Sequence, residues 1–244
     1  MSVPAVVVAP AKLTLDLRIT GVRPDGYHTL SAEMITVDLA DTLTFAAGDG
    51  LDVVTDGGGM AVPSGDDNLV RRALALVGRA AQVRLDKRIP AGGGLGGASA
   101  DAAAVLRWAG VDAVSLATRL GADVAFCMVG GRARVTGIGE LIEPLDFAGA
   151  DGRVFTMVTP PFGVSTVAAY RAWDDLGGPR APEGGNDLEG AAVAVEPRLA
   201  RWRDELTEAT GRRARLAGSG STWFVEGSFP APGRVVTRAC QIAP

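Results

Sequence analysis

The stretch Pro90-Ala91-Gly92-Gly93-Gly94-Leu95-Gly96-Gly97-Ala98-Ser99-Ala100 constrains this chain more than any other. Five of its 33 glycines fall within six consecutive positions there. The stretch lies between a β-branched run, Val83–Ile89, and an alanine-rich helical segment, Ser99–Ala109. Residues without a Cβ let the backbone take left-handed angles and approach another backbone or a ligand closely. At a helix start, unsatisfied N–H groups and the positive dipole end favour an anion. One helix end contributes only about 0.3–2 kcal/mol, so a bound phosphate needs several amides together. A tight strand-to-helix turn packed for its own sake is the alternative. No Lys follows the glycines, which excludes the GxxxxGK[ST] loop. Gly92, Gly94 and Gly97 match GxGxxG, but a dinucleotide domain carries that motif after its first strand, with an acidic residue about 20 positions on. Here about five strands precede the glycines and a helix follows them.

The rest of the composition narrows the function classes. A 244-residue chain with 47% hydrophobic and 21% charged residues is globular. Its net charge of −4 argues against a nucleic-acid or membrane-surface partner, since both need a positive field. No apolar run reaches about 18 residues. Val3–Ala9 reads as a buried first strand rather than a leader, which places the chain in the cytosol. Cys127 and Cys240 lack metal spacing and are expected as reduced thiols. A single histidine, His28, disfavours a His-based metal site or a Ser/His/Asp triad. Against 22 Arg there are two Lys, Lys12 and Lys87, so a compact ammonium in place of a planar guanidinium marks both positions.

Along the chain, Val3–Ala9, Lys12–Thr20, Glu33–Asp38, Thr42–Ala46 and Leu51–Thr55 read as strands, with turns at Pro24-Asp25-Gly26 and Gly57-Gly58-Gly59. Leu69, Ala73, Leu76, Val77 and Ala80 give a helix capped by Asp66 or Asp67. After Ser99–Ala109, a short helix over Val114–Leu120 and a strand pair, Arg132–Thr136 and Glu140–Glu143, end the first unit. A break at Ala148–Gly152 divides the chain into domains 1–150 and 151–244. The second unit reads as strand Val154–Thr159, helices Ser165–Asp175, Leu188–Val195 and Pro197–Thr210, and strands Arg213–Leu216, Thr222–Val225 and Arg234–Cys240. The fold class is α+β with two domains.

With Pro10-Ala11-Lys12-Leu13-Thr14-Leu15 and Ala217-Gly218-Ser219-Gly220-Ser221-Thr222, the glycine loop resembles the three motifs of the galactokinase/homoserine kinase/mevalonate kinase/phosphomevalonate kinase superfamily. The segments Pro24-Asp25-Gly26-Tyr27-His28, Gly121-Ala122-Asp123-Val124 and Asn186-Asp187-Leu188 narrow the resemblance to the branch acting in the non-mevalonate isoprenoid route. It implies a ribosomal protein S5 domain 2-like N-terminal domain, a ferredoxin-like C-terminal domain and a cleft between them. There ATP, accompanied by Mg²⁺, phosphorylates a cytidine diphosphate-linked methylerythritol. By the resemblance, Lys12 and Asp123 are the catalytic pair and residues Pro90 to Ala100 cradle phosphates. Asn68 contacts adenine, Tyr27 stacks on cytosine, His28 bonds its edge, and Thr14 and Thr166 border the substrate. No metal ligand is assigned, since no carboxylate beyond Asp123 is offered to hold the ion, and the protein is expected as a monomer or homodimer.

Read from the residues alone, each position has a plainer alternative. Asp123 caps a helix, Asn68 does the same, Tyr27 plugs a turn beside an exposed His28, and Ala217–Thr222 is a hairpin loop. Asp123 is expected to be poorly solvated. Lys87 either faces ATP or is an exposed strand residue. Thr14 stands where the family often has Asn, Ala100 lacks a hydroxyl expected beside the phosphates, and Ala125 replaces a usual Pro. Another small-alcohol kinase of the superfamily (homoserine or mevalonate kinase), a non-catalytic nucleotide-binding paralogue and a dinucleotide oxidoreductase are the competing functions.

Overall fold

Two long strands, β1 (Ala5–Val22) and β2 (His28–Ala46), form an antiparallel hairpin closed at Pro24-Asp25-Gly26. The turn is tied by the Arg23 N–H to Tyr27 O (2.8 Å) and the Gly26 N–H to Arg23 O (2.9 Å). The four short runs expected here are therefore two continuous strands. Pro10 sits at a register shift between Pro10 and Lys12, where a residue without an N–H can interrupt a ladder without ending the strand. In this computed structural model residues 4–55, 60–111 and 114–242 are described. The expected turn at Gly57-Gly58-Gly59 and the first residue of Val3–Ala9 lie outside them.

One edge of β2 is covered along its length by β1. The other is shared end to end: Leu30–Ile35 pair with β5 (Arg132–Gly137), and Thr42–Ala46 with β4 (Gln82–Lys87). Strand β3 (Gly50–Thr55) runs parallel to β4, and β6 (Leu141–Pro144) extends β5. Helix α1 (Leu69–Leu76) makes the β3–β4 crossover, a parallel connection that a tight turn cannot supply. Its cap is Asn68, whose side chain accepts from the Val70 N–H, rather than Asp66 or Asp67.

Helix α2 (Gly97–Trp108) packs against β1, α1 and α4 (Ala122–Val129), with α3 (Val114–Thr118) alongside α4. Its Ala100, Ala102, Ala103 and Ala104 are all buried. Small side chains on every face let the helix sit between three neighbours.

The second sheet has the order β10 (Val235–Arg238), β7 (Val154–Val158), β9 (Trp223–Glu226), β8 (Arg215–Leu216), antiparallel throughout. Helices α5 (Thr166–Asp175), α6 (Glu189–Val195) and α7 (Leu199–Thr210) accompany it. Alternation along the strands divides the core. Val158, Trp223 and Val225 join a cluster with Ala169, Leu199 and Leu206, while Phe155, Met157 and Phe224 join the cluster built by the first sheet and α2. Apolar packing thus runs unbroken across the Ala148–Gly152 break.

The Asn186-Asp187-Leu188 segment fastens the second half to β1. Leu17 N–H donates to Gly185 O (3.1 Å) and Asp187 N–H to Leu17 O (3.0 Å). The buried Asp187 carboxylate accepts from the Ile19 and Ala181 amides at 3.0 and 2.9 Å, and from Arg18 and Arg180 at 2.9 and 3.0 Å. Burial alone would raise its pKa, yet the two amides and two guanidiniums hold it below the usual carboxylate range. A carboxylate so depressed adds stability that is complete above its unfolded pKa of about 4 and lost as pH falls through the lower folded value. Asp187→Ala, which strands four donors, is expected to cost about 3 kcal/mol at pH 7. Urea unfolding should show that deficit shrinking below about pH 4.

Candidate active site

The N-terminus of α2, the Lys12 segment of β1, the β1–β2 turn, α5 and the 217–221 loop enclose a cleft of about 720 Å³. Of the glycine stretch, Gly92, Gly94, Gly96 and Ser99 line it. Gly93 faces away, with its carbonyl accepting from the Thr222 N–H (3.1 Å), and Leu95 and Ala100 are buried in the core. Pro90, Ala91, Gly97 and Ala98 are not among the lining residues. Helix α2 begins at Gly97 with no side-chain cap, and the first intrahelical bond there is Ala100 N–H to Gly96 O (2.8 Å). The amides of Gly97, Ala98 and Ser99 are the first-turn donors that such a helix leaves for an anion.

Two glycines are required by close approaches within the protein. A Cβ on Gly94 would lie 2.2 Å from Ala217 O, and one on Gly96 2.8 Å from Lys12 Cγ, both at positive φ. The loop is therefore clamped between the 217–220 backbone and the Lys12 stem.

Lys12 is buried, its amide donating to Leu95 O (3.0 Å) and its ammonium to Thr14 Oγ1 (3.1 Å). Asp123 Oδ2 stands 3.4 Å from Lys12 Nζ. Asp123 is the second residue of α4, whose N-cap is Gly121, so it is neither the expected cap nor the end of a preceding helix. Its side chain is 36% exposed. It faces the open cleft rather than the poorly solvated environment that the following apolar residues suggested. An acceptor on the cleft surface beside a buried, fixed cation can take a proton from a bound hydroxyl while the cation offsets charge that develops nearby.

The far end of the cleft is aromatic. His28 packs on Tyr170 (ring centroids 4.8 Å) and edge-on against Trp173 (5.7 Å). Its Nε2 meets Asp174 Oδ1 at 2.8 Å, and Nδ1 has no hydrogen-bond partner among the described residues. Tyr27 is 61% exposed at the rim, not buried in the turn. Burial and then Asp123 push the Tyr170 phenol up to about 12, so it remains a neutral hydroxyl. Thr166 lines the cleft and shares a hydrogen bond with Ser219 (2.8 Å). Sequence reasoning missed Tyr170 and Asp174. The available clues were their i, i+4 spacing behind the Ser165 cap and the fact that Tyr170 is one of only two tyrosines.

Other expected positions lie elsewhere. The Asn68 amide is engaged at both ends, accepting from Val70 N–H and donating to Pro63 O (both 2.8 Å), and Asn68 is not among the residues lining the cleft. Lys87 is neither exposed nor facing the cleft. It is buried between Asp41 and Asp101. Ala100 is buried in the apolar core and does not line the cleft, so a hydroxyl at this position would be taken out of water. Asn186 acts structurally. Its Nδ2 donates to Leu216 O (3.0 Å) and Gly218 O (2.6 Å), which holds the 217–220 loop over Lys12. The thiols of Cys127 and Cys240 are free, the first buried and the second half-buried.

Gly94→Ala places a methyl against a backbone oxygen at a left-handed φ. It is expected to lower unfolding free energy by more than the 1–2 kcal/mol of the conformational term alone and to reduce nucleotide affinity at least tenfold. Urea unfolding and titration with ATP check the two effects.

A model of the GHMP kinases N terminal domain matches residues 68–131. The chain is 38% identical over 234 residues to the 4-diphosphocytidyl-2-C-methyl-D-erythritol kinase of Paracoccus denitrificans, covering 88% of this chain and 84% of the relative. Against the enzyme of the same name from Pelotomaculum thermopropionicum, the identity is 37%, covering 89% and 87%. A crystal structure of 4-(cytidine 5'-diphospho)-2C-methyl-D-erythritol kinase superposes with a TM-score of 0.71 at 34% identity, covering 90% of this chain and 89% of that one. Homoserine kinase from Cytophaga hutchinsonii, at 16% identity and a TM-score of 0.58, shares the fold. The fold is the α+β fold of the GHMP kinases, and with relatives this similar over nearly their whole length, the chain belongs to the 4-diphosphocytidyl-2-C-methyl-D-erythritol kinase family.

Proposed function

We propose that the protein transfers the γ-phosphoryl group of ATP to the 2-hydroxyl of 4-diphosphocytidyl-2-C-methyl-D-erythritol. One observation carries the reading: a single cleft has the Lys12–Asp123 couple beside the α2 N-terminus and an aromatic patch around His28 at its other end. Residues 1–150 are assigned to a kinase domain like the second domain of ribosomal protein S5. Residues 151–244 are assigned to a ferredoxin-like domain.

The triphosphate lies along the glycine loop with its terminal phosphates on the α2 amides. The cytosine is received by Tyr27, Tyr170 and His28, where stacking supplies about 1–3 kcal/mol per base and His28 Nδ1 reads the polar edge. Thr14 and Thr166 border the sugar alcohol between them. The substrate hydroxyl gives its proton to Asp123 as its oxygen bonds to the γ-phosphorus, and the bond to the ADP oxygen breaks in line. Lys12 orients that hydroxyl and offsets charge on the transferring group. Mg²⁺ fits as an ion that arrives on the nucleotide. Phosphate oxygens and water would hold it, and it would neutralise phosphate charge.

Asp123→Asn is expected to lower kcat by about 10²–10⁴-fold while the KM for ATP changes little. The assay is ADP release with the cytidylylated alcohol, with homoserine and mevalonate as controls. Turnover within about tenfold of the parent, roughly 1.4 kcal/mol of barrier, overturns the role of Asp123. Release of ADP with a control alcohol alone overturns the substrate. ATP binding without turnover of any alcohol overturns the activity.

A further inference from the structure

Beneath the glycine loop, outside the cleft, lies a buried group that the reaction does not use. The Lys87 ammonium, at the end of β4, is held between Asp41 of β2 and Asp101 of α2, the latter at 2.8 Å. All three side chains are at least nine-tenths buried. Asp41 Oδ1 also accepts from the Arg88 and Ile89 amides (2.5 and 2.8 Å), where the chain leaves β4 for the loop. Lys87 Nζ lies 3.1 Å from where a Gly97 Cβ would stand, directly behind the first residue of α2. The triad joins β2, the entry to the loop and the helix whose end faces the phosphates.

Its charge is unbalanced. Two carboxylates flank one ammonium, and Asp101 Oδ1 is buried with no hydrogen-bond partner among the described residues. A second negative charge at this depth leaves that oxygen without a donor and opposes an anion on the far side of Gly97. We propose that Asp101, with Lys87 and Asp41, positions the nucleotide by setting the charge under the glycine loop, and that one proton moves from solvent to Asp101 as the phosphates bind. The proposal rests on the loop being the nucleotide site. The protonated Asp101 shares its hydrogen with Asp41, which leaves a neutral Lys87–Asp41 pair behind the helix end.

Burial, opposed by Lys87 and reinforced by Asp41, raises the Asp101 carboxyl well above the usual carboxylate range. The Cys127 thiol faces the group from α4 and, pushed up to about 12 chiefly by burial, stays neutral. Lys87 is raised, its two carboxylates outweighing desolvation, and stays charged. A bound phosphate raises Asp101 further. Affinity therefore declines as pH rises through the range in which Asp101 loses its proton.

The test is calorimetric titration with ATP, and with ADP, in buffers of different ionisation enthalpy between pH 6.5 and 8.5. Asp101→Asn serves as a permanently neutral mimic that also controls for titration of the nucleotide itself. The parent is expected to take up protons that the variant does not, and its Kd to rise about five- to twentyfold more than the variant's across that range. The KM for ATP should follow the same pattern, with kcat little changed. Infrared difference spectra of the parent should gain a protonated-carboxyl band on ADP addition, a readout that stands even if the variant fails to fold. Nucleotide binding with no such band, or with equal proton uptake in parent and variant, overturns the triad proposal alone. A parent that binds neither nucleotide overturns the reading of the loop and the triad with it.

Discussion

The register shift between Pro10 and Lys12 leaves the Lys12 amide to donate to Leu95 O rather than to the hairpin. That bond fixes the glycine loop to the largest sheet, and it fixes the Lys12 side chain at the same time, because amide and ammonium belong to one residue. The loop's position then dictates where α2 starts. The bare Cα of Gly96 accepts the Lys12 stem, and the bare Cα of Gly94 accepts the 217–220 backbone. The three sequence motifs are thus physically interlocked, each occupying space the other two leave.

The second half of the chain has its own apolar cluster behind the second sheet, and it also completes the cleft. Asn186 carries the 217–220 loop by two carbonyls, and Asp187 ties the same segment to β1. The Asn186-Asp187-Leu188 motif stands out in the sequence for its match to a family pattern. Its physical role is to hold one wall of the cleft at a fixed distance from the other.

Much of this was legible in the sequence because it is local. The strand–glycine–helix order, the helix beginning near Ser165 and the strand pair at β5 and β6 all follow from periodicity and turn chemistry within a dozen residues. What was not legible depends on partners far away in the chain. Lys87 gave no sign of burial because its two carboxylates lie 46 and 14 residues distant. The apolar neighbours of Asp123 suggest a dry carboxylate, but Val124, Phe126 and Cys127 pack into the clusters around α4 while Asp123 faces the cleft. The length of β1 is hidden by Pro10, which reads as a breaker unless a bulge is foreseen. Resemblance assigns Asn68 to a base contact, whereas the local geometry uses its amide as a cap.

The sharing of Phe155, Met157 and Phe224 between the second sheet and the first half's core bears on how the enzyme can cycle. Halves that share one apolar cluster cannot swing apart like jaws without wetting it, a cost that grows with every square ångström uncovered. Reactants must then enter and leave by the mouth of the cleft. Whatever rearrangement accompanies turnover is restricted to its lips, the rim carrying Tyr27 and the span around Ser219.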